Sequence, residues 1–178
     1  MSFPNKIVIV GTSGCGKTTL GRKLAILGGQ KLVDLDDIYW LPNWTPRSDV
    51  EFFTLLQKEV ANDRWIISGN YSRARAHIWQ EADMIIWLDL PLTTCLWRGF
   101  KRSLFRWIKQ EPCCGGNYET FGRLFGKDSI LLWIFNTYAR RKSTYSELFS
   151  SLPSSKRYIR LKNTKEINEF INYWSKHL

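Results

Sequence analysis

Lys6-Ile7-Val8-Ile9-Val10 runs without a break into Gly11-Thr12-Ser13-Gly14-Cys15-Gly16-Lys17-Thr18, and this stretch decides the fold. A continuous apolar, largely β-branched run is the pattern of a strand buried on both faces of a parallel sheet. The eight residues after it fit the pattern G-x4-G-K-[ST] at every position. Each residue type there has a physical task. Glycines let the backbone wrap around a phosphate with its N–H groups turned inward. A helix starting beside Gly16 adds its positive end to the same place. Lys17 reaches the β- and γ-phosphates, and the Thr18 hydroxyl is a magnesium ligand. The sequence therefore places ATP, with Mg2+, on Gly11 to Thr18, with Thr19 continuing the first helical turn.

Strand and helix alternate outward from this loop. A helix from Lys17 to about Leu27 is stopped by Gly28-Gly29. Lys31–Leu35 reads as a strand running into the acidic cluster Asp34, Asp36, Asp37, and Tyr39 to Trp44 as an aromatic loop. Ser48-Asp49-Val50-Glu51 is a capping box that opens a helix to about Ala61. Trp65–Ser68 and Met84–Leu88 are further buried strands, with a short helix over Arg73–Gln80 between them. A basic helix spans Thr93 to Lys109. Glu111–Gly126 is glycine-rich and expected to be mobile, and a long helix then runs to about Phe149. Tyr158–Leu161 is a last strand and Thr164–His177 a last helix. This alternation requires a parallel sheet with helices on both faces. The 178 residues form one domain, 1–178, with no repeat or linker to divide it.

Composition narrows the partners. The first 89 residues carry ten Lys or Arg and ten Asp or Glu; the remainder carry sixteen and six. The whole net charge of +10 thus lies in the second half, which suits phosphates or a nucleic acid backbone. The longest apolar run, Ile130–Phe135, is too short to cross a bilayer, and Met1 to Asn5 leads directly into a strand. A cytoplasmic protein without membrane contact is expected. Cys15, Cys95, Cys113 and Cys114 lack the spacing of a zinc site and are expected to be free thiols.

Missing motifs narrow the class. There is no N-K-x-D to read guanine and no D-x-x-G, as a GTPase would carry. Asp89 after Met84–Leu88 is followed by Leu90, not by the glutamate that orients water in motor ATPases. Phosphoryl transfer to a small bound acceptor is the better reading. Here VIVGTSGCGKTTL, LVDLDDIYW, RWIISGNYS and IIWLDLP, followed by Leu96-Trp97-Arg98, resemble the small bacterial adenylate-kinase-like proteins called DNA topology modulation proteins. The resemblance covers roughly residues 5 to 149, and its wider relatives are nucleoside monophosphate, shikimate and gluconate kinases. It implies a five-stranded parallel sheet in order 2-3-1-4-5 and a basic lid, about residues 110–127. Gly69-Asn70-Tyr71-Ser72 replaces the G-[FY]-P-R segment usual in adenylate kinases, so strict AMP specificity is not implied.

The resemblance also implies roles for residues outside the loop. Asp34 and Asp36 would lie near magnesium and the acceptor hydroxyl, Asp34 on the metal and Asp36 in the chemistry, with Asp37 a helix cap. Arg98 would lie where relatives pack an arginine on adenine, and Arg140 or Arg141 would clamp the transferring phosphoryl group. From position alone, Gly69, Asn70, Arg73 and Arg75 sit where an acceptor phosphate needs donors. Tyr39, Trp40 and Trp44 are candidates for a pocket wall, and Asp89 for either a metal-bound water or a helix cap. Lys101, Arg102 and Arg106 follow Arg98 at helical spacing. The stripe Trp97, Leu104, Phe105, Trp107, Ile108 is expected as core or lid packing. His77 and His177 read as surface residues. The expected function is an ATP-dependent, magnesium-assisted small-molecule kinase. The alternatives are a nucleotide-dependent DNA-associated protein and an ATP-binding regulator with little turnover.

Overall fold

A computed structural model of the chain describes residues 3–127, 129–153 and 157–177. Its centre is β1 (Lys6–Gly11), which pairs in parallel with β5 (Trp65–Ser68) on one side and β6 (Met84–Leu88) on the other. Adding β2 (Lys31–Asp34) beside β5 and β7 (Arg157–Leu161) beside β6 completes the order β2-β5-β1-β6-β7, parallel throughout. Counted within this sheet alone, that is the expected 2-3-1-4-5 order.

The pleat of β1 explains the layering. Ile7 and Ile9 point to one face and Val8 and Val10 to the other, all buried. On the first face they meet α1 (Lys17–Gly28), α5 (Leu92–Lys109) and α8 (Thr164–Lys176) through Leu20, Leu24, Cys95 and Trp174. On the second they meet α3 (Asp49–Val60) and α4 (Ser72–Glu81) through Phe52, Leu56 and Ile78. Helix α7 (Ile130–Ser150) serves both faces: Ile134 belongs to the first cluster, Tyr145 and Phe149 to the second. It therefore passes over the carboxyl ends of the strands.

Local signals set the ends of elements. Gly29 stops α1 at a φ of 65°, its N–H donating to the Ala25 carbonyl. Ser48 caps α3, accepting from the Glu51 N–H while its hydroxyl donates to the Glu51 carboxylate at 2.8 Å. The structure also contains elements that the periodicity did not suggest. Helix α2 (Leu35–Tyr39) begins where the strand was expected to continue, because Asp34 accepts from the Asp36 N–H at 3.1 Å and turns the chain. The cap is thus Asp34, not Asp37. The aromatic loop holds a small antiparallel pair, β3 (Trp40–Leu41) and β4 (Thr45–Pro46), and the segment expected to be mobile contains α6 (Phe121–Phe125).

One packing expectation is corrected. Trp97, Phe105 and Ile108 on α5 are exposed, because α5 buries a different face, made of Cys95, Gly99 and Ser103. Those small residues let α7 approach; a Cβ at Gly99 would press on the Ile134 methyl. Trp107 packs against α6, its ring 5.6 Å from that of Phe121. Among the described residues no helix is long and apolar enough to cross a membrane. The layering makes Ile67, 0% exposed in β5, a sensitive position. Ile67→Ala should lower stability by about 2–5 kcal/mol in urea denaturation. Ile26→Ala, at a residue 83% exposed, should change it by less than about 0.5 kcal/mol.

Candidate active site

The carboxyl ends of β1, β5 and β2 bring Gly11, Ser68 with Gly69, and Asp34 to one side of the sheet. A cleft of about 1870 Å³ opens there. That exceeds the usual volume of a single small-molecule pocket, about 300–1,000 Å³, and suits a nucleotide together with an acceptor. The phosphate loop forms its floor. Gly16 stands at the amino end of α1 with a φ of 100°; no side chain caps the helix and its first turn has no acidic residue. An anion in the loop would satisfy those first-turn N–H groups. Gly14 has a φ of 81°, and a Cβ there would collide with the Cys95 carbonyl oxygen, so the loop can lie against α5 only with glycine.

Lys17 folds over the loop, its Nζ donating to the carbonyls of Gly11 at 2.9 Å and Thr12 at 3.2 Å. The Thr18 hydroxyl donates to Asp34 Oδ2 at 2.7 Å, joining the loop to the end of β2. Burial first, and the neighbouring Asp36 charge second, push the Asp34 carboxyl above the usual carboxylate range; Thr18, the Asp36 N–H and Lys17 pull the other way. Asp36 Oδ1 accepts from the Tyr71 hydroxyl at 2.8 Å. Burial, followed by the Asp36 charge, pushes the Tyr71 phenol well up, so Tyr71 acts as a fixed neutral donor.

Asn70 has a task that its position in the sequence does not reveal. Its Oδ1 accepts from the Gly11 N–H at 3.1 Å and from the Tyr145 hydroxyl at 3.0 Å, while its Nδ2 donates to the Gly11 carbonyl at 2.5 Å. Asn70, which also lines the cleft, braces the phosphate loop and ties it to α7. Arg73, expected beside it, donates to both carboxylate oxygens of Asp49 on α3 at 2.5 Å. Arg75 lies closer in, its guanidinium 5.9 Å from the Tyr145 ring centre and 5.8 Å from that of Trp79.

From α7, Arg140 and Arg141 both line the cleft. Arg141 lies 5.5 Å from the Trp133 ring centre, and its buried Nη1 has no hydrogen-bond partner among the described residues. Burial pushes this guanidinium's pKa down, the sign of a cation short of counter-charge. The Ser68 hydroxyl, also on the cleft, is buried and likewise has no hydrogen-bond partner among the described residues. Arg98 on α5 donates to the Cys15 carbonyl at 3.4 Å and to the Thr164 hydroxyl at 2.9 Å, which fixes its guanidinium beside the loop. Lys101, Arg102 and Arg106 line the same wall.

Opposite stands an aromatic wall. Tyr39 packs its ring 5.0 Å from Trp40 and 4.8 Å from Tyr71, and Trp40 lies 5.7 Å from Trp44. Residues 111–126 are bonded to it. Asn117 accepts from the Trp44 N–H at 2.7 Å and donates to the Leu41 carbonyl at 2.9 Å, and Arg123 sits 4.1 Å over the Trp44 ring. Asp89 lies apart from the cleft. Its carboxylate takes the Arg160 guanidinium at 2.6 and 3.0 Å, and Pro91 stands at the α5 cap position, so Asp89 does not cap that helix.

Sequence reasoning missed Tyr71 and Tyr145. Tyr71 follows Gly69-Asn70 at a strand end, which could have marked it. Tyr145 lies 75 residues from Asn70 and carries no local signal.

No protein-family model matches the chain. Among curated proteins it is 30% identical over 115 residues to YqaC, an uncharacterized protein of Bacillus subtilis, covering 64% of this chain and 65% of that one. It is 32% identical over 108 residues to a shikimate kinase of Synechococcus elongatus, covering 52% and 56%. The matches thus span less than two thirds of either relative. Among solved structures, shikimate kinase from Acinetobacter baumannii in complex with shikimate superposes with a TM-score of 0.60 at 20% identity, over 97% of this chain and 90% of that one. A gluconokinase from Sinorhizobium meliloti superposes at 0.54 and 15% identity, over 99% and 92%. The chain has the small P-loop kinase fold, similar to shikimate kinase and gluconokinase.

The loop geometry separates two contributions. Lys17→Ala should weaken ATP binding at least tenfold in calorimetry, because the β,γ-phosphate charge loses its counter-ion. Asn70→Ala should weaken it several-fold with Lys17 intact, because the Gly11 brace is lost. Unchanged affinity in folded Lys17→Ala would remove the loop from nucleotide binding.

Proposed function

We propose that the chain is an ATP-dependent phosphotransferase, one domain over residues 1–178, that moves the γ-phosphoryl group to a hydroxyl of a small acceptor. The observation that carries this is the 2.7 Å bond from Thr18 to Asp34, which joins the phosphate loop to the acidic turn holding Asp36. Donor phosphates and a candidate base thereby share one cleft.

The residues divide the work by position. ATP lies along Gly11, Thr12, Ser13, Gly14, Cys15, Gly16, Lys17, Thr18 and Thr19, with adenine beside the pinned Arg98. Asp36 takes the acceptor's proton as its oxygen attacks the γ-phosphorus and ADP leaves. Tyr71 holds Asp36 Oδ1, so Oδ2 is the oxygen presented to the acceptor. Lys17 and the under-compensated Arg141, with Arg140 beside it, meet the charge on the transferring group. Asp34, Gly69, Asn70 and Arg73 border the acceptor space, where Asn70 and Arg73 act through their bonds to Gly11 and Asp49. Residues 110–127 serve as the lid, shutting water out.

The donor set fits magnesium: a hydroxyl and a half-buried carboxylate bonded to each other at 2.7 Å, with a second carboxylate two residues on. Thr18 and Asp34 would hold the ion, which supplies neutralising charge at the β- and γ-oxygens when bound.

A second reading, a nucleotide-dependent DNA-associated protein, draws on the +10 charge of the second half and on the topology modulation resemblance. The kinase reading is favoured because Arg98, Arg102, Arg106, Arg123, Arg140 and Arg141 all line the cleft. Asp36→Asn keeps the shape of the side chain and removes its basicity. It should lower turnover on the true acceptor by about 10²-fold or more with ATP affinity within about twofold. Normal turnover would return Asp36 to a purely structural place in α2.

A further inference from the structure

Helix α5 carries a long apolar stripe that α7 does not cover. Trp97, Phe100, Leu104 and Ile108 recur at spacings of three, four and four residues, which puts them on one side of the helix. The contact with α7 is made by a different side, through Cys95 and Gly99 against Ile134. Along the stripe the rings of Trp97 and Phe100 stack with centres 6.3 Å apart. At its far end Trp107 meets Phe121 of α6, and Phe121 lies 5.1 Å from Phe125. The end of α5 and the start of α6 thus extend the stripe into a second group of rings. Trp97, Ile108, Phe121 and Phe125 are each 59–63% exposed. Single exposed apolar residues are ordinary, but adjoining large ones mark a contact surface.

The surrounding charge defines the contact. Between positions 92 and 127 stand seven Lys or Arg and two Glu. One of those two, Glu119, is buried and accepts from the Ser103 hydroxyl at 3.1 Å. Helix α5 itself has no acidic residue. Lys101, Arg102 and Lys109 are exposed along it, and the Lys101 ammonium lies 5.6 Å from the Trp97 ring centre. Large apolar side chains and cations therefore share one helix surface.

We propose that this face of α5 and α6 docks on the surface of a bilayer rich in anionic lipid. Trp97, Ile108, Phe121 and Phe125 enter the boundary between headgroups and acyl chains, while Lys101, Arg102 and Lys109 meet the negative headgroups. The docking does not depend on the kinase reading.

Two other occupants match the face less well. A second copy would meet it with the same face, because a two-fold contact is self-complementary. That would set the lysines and arginines of two α5 helices against each other. Duplex DNA would satisfy the cations and leave four large apolar side chains in water. An anionic bilayer offers both halves. Its headgroups favour each nearby Lys or Arg by roughly fivefold in partitioning. Below them lies an apolar layer that a helix lying in the interface enters by about 5–10 Å. Aromatic rings with a polar edge, such as Trp97, suit that boundary. The expectation of no membrane contact rested on the lack of a spanning run, and a helix lying flat needs none.

The test sediments the full chain with vesicles of phosphatidylcholine alone, or with about one third phosphatidylserine. Partitioning onto the anionic vesicles should exceed that onto the neutral ones at least tenfold. It should weaken several-fold between about 0.1 and 1 M salt, where the screening length falls from about 10 to 3 Å. Trp97→Ser/Ile108→Ser should partition at least tenfold less while melting at the wild-type temperature, since both side chains are exposed. Ile26→Ser/Val50→Ser removes exposed apolar side chains from α1 and α3 and should bind vesicles as the wild type does. ATP affinity should be unchanged in both variants, because none of the four residues lines the cleft. Absence of binding to anionic vesicles would overturn the proposal, as would equal binding to neutral ones or full binding by Trp97→Ser/Ile108→Ser. A concentration-dependent dimer abolished by the same two substitutions would overturn it too, and give the face to a second copy.

Discussion

Everything in this site hangs on how Gly11 is held. Its N–H and carbonyl are both taken by the Asn70 amide, its carbonyl also receives the Lys17 ammonium, and Asn70 is in turn fixed by the Tyr145 hydroxyl. Three separate stretches of chain, the end of β1, the end of β5 and the middle of α7, are joined through one residue. A loop that must wrap a phosphate with its backbone cannot be stiffened by its own side chains, since glycines make the wrap possible. Stiffness has to come from outside, and Asn70 with Tyr145 supplies it. Because Arg141 lies one helical turn before Tyr145, the same contact sets where an α7 arginine stands relative to the loop.

Much of this was readable from residues alone, for a physical reason. The phosphate loop is local: its residue types, the strand before it and the helix after it occupy consecutive positions. The parallel sheet follows from apolar strands separated by helices, and its order came from the resemblance and is the order observed. Asp34 and Asp36 were legible as a pair at a strand end. That Asp34 and not Asp37 caps α2 was not, because the cap depends on a turn that Leu35 disguises as a continuing strand. Asn70 was placed at the strand end, but its bonds to Gly11 and Tyr145 were not legible, since those partners lie 59 and 75 residues away. The α5 stripe misled for a related reason. Large apolar residues suggested the buried face, whereas close approach of α7 needed the small ones, Cys95, Gly99 and Ser103.

Charge acts in this fold as a cleft property. Ten of the sixteen Lys and Arg of the second half lie between positions 98 and 142, on α5, on α7 and on the segment between them, and most of these line the cleft. Arg98 is held by two hydrogen bonds and Arg123 by stacking on Trp44, while Arg141 keeps a buried donor without a partner among the described residues. A donor left unpaired in a buried setting costs about 1–3 kcal/mol, which an anionic ligand would offset on binding. Asn117, between α5 and α6, bonds to the aromatic wall at Leu41 and Trp44, so that segment and the wall form one surface.

The central claim is that this cleft transfers a phosphoryl group to a bound small molecule. The most direct measurement incubates the protein with ATP labelled at the γ-phosphate and a panel of nucleotides, hydroxy acids and sugars, and follows where the label goes. The expected result is label on one acceptor hydroxyl, slow release to water without acceptor, and loss of transfer in Lys17→Ala. Label passing only to water at tens of turnovers per second would contradict the account. No transfer at all, together with submicromolar duplex DNA binding at 150 mM salt, would contradict it equally and give the arginine-lined surface to nucleic acid.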